Sequence, residues 1–182
     1  MSKKKDFILD ALNVVSWIIF IGLCIEAGAI IFNYVYCLIN PIGAGNIYKG
    51  LNLSELYQNH FGHFNAVMSF IMVISVLKAY LFYLVVKIFM QLNLVKPFSA
   101  EIAKLIENIS YEALGIVIVS IVANQYCNQL IKSGLELSNV DEYWGDIAAF
   151  LMMAAILYII SKIFNKGIEL QTETEVTIWT CP

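Results

Sequence analysis

Residues 64–92 read FNAVMSFIMVISVLKAYLFYLVVKIFMQL. Lys78 and Lys87 are the only charges in the run. A bilayer core about 30 Å thick is crossed by about 20 helical residues. Water cannot satisfy backbone groups at that depth, so a run this long and apolar predicts a transmembrane helix. Three more runs of the same kind lie around it, at about 7–39, 111–131 and 147–164. The first two are long enough to tilt or protrude, whereas the last two are near the minimum.

Composition agrees with that reading. Of the 182 residues, 60% are hydrophobic and 14% charged, and the mean hydropathy is +0.75. Soluble domains are nearer half apolar and a quarter charged. A net charge of −3 gives no reason to expect direct nucleic-acid binding. No repeat or low-complexity linker divides the chain, so a single membrane domain over 1–182 is expected, with a tail at 165–182. The expected fold is all-α: a bundle of four transmembrane helices with a short cytoplasmic amphipathic helix between spans two and three.

Lysines set the expected orientation. Lys3, Lys4 and Lys5 precede the first span. Lys87, Lys96 and Lys104 surround the second connection, and Lys162 and Lys166 follow the fourth span. The first connection holds only Lys49, and the third sets Lys132 against Glu136, Asp141, Glu142 and Asp146. Both termini and the 93–110 connection are therefore expected in the cytoplasm, with the loops at 40–63 and 132–146 outside. Ala27-Gly28-Ala29 after an apolar core resembles a signal-peptide cleavage site. Apolar residues continue to Ile39, which favours an uncleaved first helix.

In the first outer loop, turn formers run from Asn40-Pro41 to Asn46, and Ser54 is placed to cap a short helix. Tyr143 and Trp144 close the second outer loop, where aromatic side chains favour the membrane interface. Between spans two and three, VKPFSAEIAKLIENIS (95–110) starts a helix by design. Pro97 holds Lys96 extended, Ser99 is an N-cap, and Glu101 complements the helix dipole. Ile102, Leu105, Ile106 and Ile109 then fall on one face, with Glu101, Lys104, Glu107 and Asn108 on the other. This predicts a helix lying on the inner leaflet or running into span three, or a docking face for a cytoplasmic partner. The tail alternates Glu173, Glu175 and Thr177 with Thr174, Val176 and Ile178, a period that favours an extended or frayed end.

Two stretches carry a family resemblance. KPFSAEIAKLIENISYEAL, from Lys96, resembles the PFSxEN-A-K-x-L segment that follows the second helix of domain-of-unknown-function family 2975. KGIELQTETEVTI, Lys166 to Ile178, resembles that family's ending. The chain departs at Ile102, where the pattern has Asn, at Val176, where it has Leu, and in its WTCP end. The resemblance implies a bacterial membrane protein of four helices, in a family that lacks an established enzymatic activity. Members lie beside small helix-turn-helix regulators, which implies a membrane partner in signalling or gene regulation.

Few residues suggest chemistry. Glu26 and Lys78 lie inside spans one and two, at similar depth, where an ion pair would fix helix register. Asn124, Gln125, Asn128 and Gln129 cluster near the outer end of span three, as interhelical hydrogen-bond partners or as a polar pocket. His60, His63 and Glu55 make a weak metal signal, and surface histidines are the expectation. Cys24, Cys37, Cys127 and Cys181 show no CxxC spacing. Cys37 and Cys127 would lie near the outer face as packing residues, within pairing range. No nucleophile–base motif, phosphate loop or zinc motif is present, so no catalytic, cofactor or metal residue is assigned.

The expected function is a non-enzymatic regulatory or scaffolding role in a bacterial inner membrane. Pro97, Phe98, Ser99, Glu101, Lys104, Leu170, Glu173 and Glu175 are the expected partner-binding surface for a soluble cytoplasmic regulator. Membrane lipid is the other expected partner. The alternative is a small proton-coupled transporter using Glu26.

Overall fold

The structure, a computed structural model, describes residues 2–45, 47–92, 99–135, 137 and 139–180, the side chains of 2–7, 41–42 and 173–180 excepted. The described elements are α1 (Ser2–Ile39), α2 (Ser54–Asn59), α3 (Phe61–Gln91), α4 (Ala100–Lys132), α5 (Asp141–Trp144) and α6 (Ile147–Thr180), with two 3-10 turns at Pro41–Gly45 and Tyr48–Gly50. Four of these helices are long and apolar enough to cross a membrane.

Among the described residues, α1 packs on α3, α3 on α4, and α4 on α6. No comparable contact joins α1 to α6. The expected bundle is therefore an open row, with α3 and α4 in the middle and α1 and α6 at the edges. Burial follows: 39% and 44% of the inner span windows are buried, against 17% and 11% at the edges. The edge helices can expose apolar faces because lipid covers them.

The expected separate amphipathic helix is corrected in favour of the other expectation, a helix that runs into span three. Ala100–Lys132 is one uninterrupted helix, so the stretch at 99–110 is its first turns. Ser99 caps it as expected, its hydroxyl accepting the Ile102 N–H at 3.3 Å. After Ser110 no proline or cap stops the helix, so it continues into the span. The apolar stripe of Ile102, Leu105, Ile106 and Ile109 is buried against Leu81 and Leu84 of α3 and Ala154 of α6. It is core and does not lie on a leaflet. Ile102, the departure from the family pattern, is 2% exposed, which suits an apolar side chain. The tail is corrected as well: α6 continues to Thr180. Lys166, Glu169, Leu170 and Gln171 are good helix formers that carry it past the span, and Lys166 pairs with Glu169 at 2.5 Å.

A second core fills the end where the two long loops lie. Ile47, Leu51, Leu53 and Leu56 of the first loop are 0–2% exposed, packed among Ile30 and Cys37 of α1, Phe64 to Ile74 of α3 and Cys127 of α4. Asn52 organises the entry to α2, its side-chain oxygen accepting from the Ser54 N–H and hydroxyl. Tyr143 and Trp144 were expected at a membrane interface. Both are buried in this core, at 6% and 2% exposure. Cys37 and Cys127 are free thiols in the same core, not a disulfide.

Candidate functional site: a charged belt beneath the loop core

The first loop turns sharply at Tyr48–Gly50, where Ile47 and Leu51 pair and the Ile47 N–H donates to the Leu51 carbonyl at 2.9 Å. Lys49 and Gly50 take φ of 60° and 76° to make the reversal. The turn delivers the Lys49 ammonium to the Glu26 carboxylate of α1, at 2.7 Å. That bond raises the Lys49 pKa above its ordinary value, more than burial lowers it. The expected Glu26–Lys78 pair is thus replaced by Glu26–Lys49. Nothing in the sequence around Lys49 signals this contact, which spans 23 residues. The loop folds back along α1, since Glu26 lies about 13 residues, ~20 Å, before the end of that helix.

Lys78 donates to the Tyr143 carbonyl at 2.9 Å, across the α3–second-loop seam. The Tyr143 hydroxyl donates to the Tyr48 carbonyl, which joins the two loops directly. The Ser120 hydroxyl of α4 reaches the Trp144 carbonyl at 3.5 Å. So α1, α3, α4 and both loops meet at one level. Its chemistry is ionic and hydrogen-bonded. The belt ties α1, α3, α4 and both loops together.

The remaining expected site residues fall elsewhere. Gln125, Asn128 and Gln129 are exposed, and Asn124 is half-buried. Asn128 bonds Asn124 on the same helix, at 3.2 Å. They lie on α4's outward face, not between helices. Glu101 and Lys104 are exposed on the first turns of α4. Leu170 is 55% exposed on α6. Pro97 and Phe98 lie outside the described residues, as do the side chains of Glu173 and Glu175. The ring of His63 bonds the Tyr126 hydroxyl at 2.7 Å. Among the described residues no group of three metal-ligating side chains forms.

One half-buried acid carries no signal in the sequence. Glu112, one turn beyond Asn108 in α4, has a side-chain oxygen buried with no hydrogen-bond partner. It was hidden by its place at the assumed edge of span three. A groove of about 540 Å³ runs between α3, α4 and α6, lined by apolar side chains such as Phe82, Val85, Ile109, Phe150 and Met153. It offers no side-chain group to orient a polar substrate.

The profile of the family described as "Protein of unknown function (DUF2975)" matches residues 45–178. The chain belongs to this family. The DUF2975 match takes in the Lys49 turn, α3, α4 and most of α6, and it begins after Glu26. Its description names no reaction. No curated protein and no solved structure matches the chain.

Proposed function

We propose that this DUF2975 protein is a non-enzymatic, multi-pass regulator of a bacterial cytoplasmic membrane. Both termini and the 93–98 connection lie in the cytoplasm, where lysines concentrate. The loop core stands outside. The observation that carries the reading is that α3 and α4 run unbroken from the loop core to the opposite core. A change in loop packing is thereby felt at α4's first turns, where Glu101 and Lys104 are presented to a soluble partner. The device is a population shift between two packings of the loop core.

The bilayer boundary follows from depth. Helix α6 begins at Ile147, capped by Asp146, whose carboxylate accepts the Ala149 N–H at 3.1 Å. The preceding Trp144 carbonyl meets Ser120, which lies about 12 residues, ~18 Å, below the end of α4. Irregular backbone and the exposed Asp141, Glu142 and Asp146 are incompatible with lipid contact. The outer face of the bilayer on the α4–α6 side therefore lies near Asp146, and Gln125, Asn128 and Gln129 stand in water. From Ile147 to Lys162 is about 22 Å of helix, and Lys162 snorkels over the remainder. Phe32 and Ile39 of α1 are 70% and 80% exposed, so the lipid boundary runs obliquely, higher on α1 than on α6.

The transporter alternative finds less support, because the Glu26 carboxylate is engaged by Lys49. Photo-crosslinking tests the regulatory reading. A crosslinkable residue at Lys104, in native membranes, captures one soluble protein, and the yield changes when Lys49→Met removes the Glu26–Lys49 bond. Capture of lipid alone, or a yield indifferent to Lys49→Met, contradicts the reading.

A further inference from the structure

The end of α3 and the start of α4 form a second, polar groove of about 310 Å³, open to solvent at Gln91, Glu101, Lys104 and Asn108. Its lining is Lys87 and Gln91 from α3 and Glu101, Lys104, Leu105 and Asn108 from α4. Five of these six side chains are polar or charged, in contrast with the wholly apolar groove on the same helices. No ion pair among the described residues occupies Lys87 or Lys104. The nearby Glu107 carboxylate is already held by Lys162 at 2.9 Å. Two ammonium groups and two amides thus converge on a groove in which one carboxylate, Glu101, stands against them.

We infer that this groove binds a phosphodiester monoanion, supplied by the membrane as an anionic phospholipid headgroup. Two lysines and one glutamate leave a formal charge of +1, which a single phosphodiester neutralises. Gln91 and Asn108 supply neutral donors to its oxygens. Glu101 accepts from a hydroxyl further along the headgroup. The Glu101 turn is also the N-terminal end of a 33-residue helix, where the dipole favours an anion. Location fits as well. Basic pockets between transmembrane helices at the cytoplasmic side suit anionic headgroups. The groove lies where the apolar part of α3 gives way to Lys87 and Gln91, at the end expected in the cytoplasm. A headgroup seated there would bridge α3 and α4 beside the described start of α4. The site rests on the proposed membrane placement of the chain and shares Glu101 and Lys104 with the proposed partner surface, so a seated headgroup and a soluble partner would compete for these side chains.

Native mass spectrometry of the full chain, released from nanodiscs of mixed phosphatidylglycerol and phosphatidylcholine, tests it. The protein is expected to retain phosphatidylglycerol in preference to phosphatidylcholine. In the K87Q/K104Q variant that retention falls about tenfold, and K87R/K104R restores it, which separates charge from misfolding. Inorganic phosphate in excess leaves the lipid in place. Unchanged retention in K87Q/K104Q would overturn the site. Displacement of the lipid by inorganic phosphate would overturn its assignment to a lipid in favour of a soluble anion.

Discussion

Gly145 shows how tightly single residues are specified at the belt. Its φ and ψ are 71° and −169°, a region open essentially to glycine. An added Cβ would lie 3.4 Å from the Lys78 ammonium. Gly145→Ala is expected to destabilise by about 1–3 kcal/mol, read from thermal unfolding in detergent. The Lys49–Glu26 pair is different. Its side chains are 48% and 27% exposed, so solvent screening holds its contribution to under about 1 kcal/mol. Lys49→Met should barely move the melting point but should speed proteolysis at 44–53. The Lys49 pKa is raised, so its share of stability is complete below the ordinary lysine value and is lost as pH rises through the raised one. Between about pH 7 and about pH 9 proteolysis attributable to lost Lys49 charge should not increase. The sequence flagged Glu26 and Lys78 as costly charges. It did not reveal their partners, because a loop lysine and a backbone carbonyl carry no sign of long-range contact.

At the scale of elements, the first loop behaves as core. Leu53 and Leu56 are fully buried. Leu53→Ala should lose about 2–5 kcal/mol, as in a soluble interior. Phe32→Ala, on the exposed face of α1, should lose little by the same unfolding assay. Helix α4 depends at its start on Ser99, and Ser99→Ala should cost about 1 kcal/mol, seen as faster hydrogen exchange confined to its first two turns. Much of this was legible. The long apolar runs located the spanning helices, and Ser99 and Glu101 located the start of α4. The continuity of α4 was harder to read, because charges at Glu101, Lys104 and Glu107 imitate a loop-bound helix. The full length of α6 was also hidden, since a short period-two pattern is outweighed by helix formers just before it. Trp144 was misplaced because an aromatic pair at a loop exit reads the same whether it faces headgroups or a core.

At the scale of the molecule, four helices in an open row join two cores, one made largely by loops. Hydropathy cannot distinguish a closed bundle from such a row, because lipid-facing and helix-facing residues are equally apolar. Nor can it place the bilayer along helices longer than the membrane is thick. That placement rests on the Lys78–Tyr143, Ser120–Trp144 and Asp146–Ala149 contacts together. It has a direct test. Cysteine is introduced at Gln125, at Ile118 and at Lys104, and intact cells are treated with a membrane-impermeant maleimide, with the parent protein as background. Labelling is expected at Gln125→Cys in intact cells, protection at Ile118→Cys, and labelling at Lys104→Cys only after the membrane is opened. Protection at Gln125→Cys, or labelling of Lys104→Cys from outside, would contradict it.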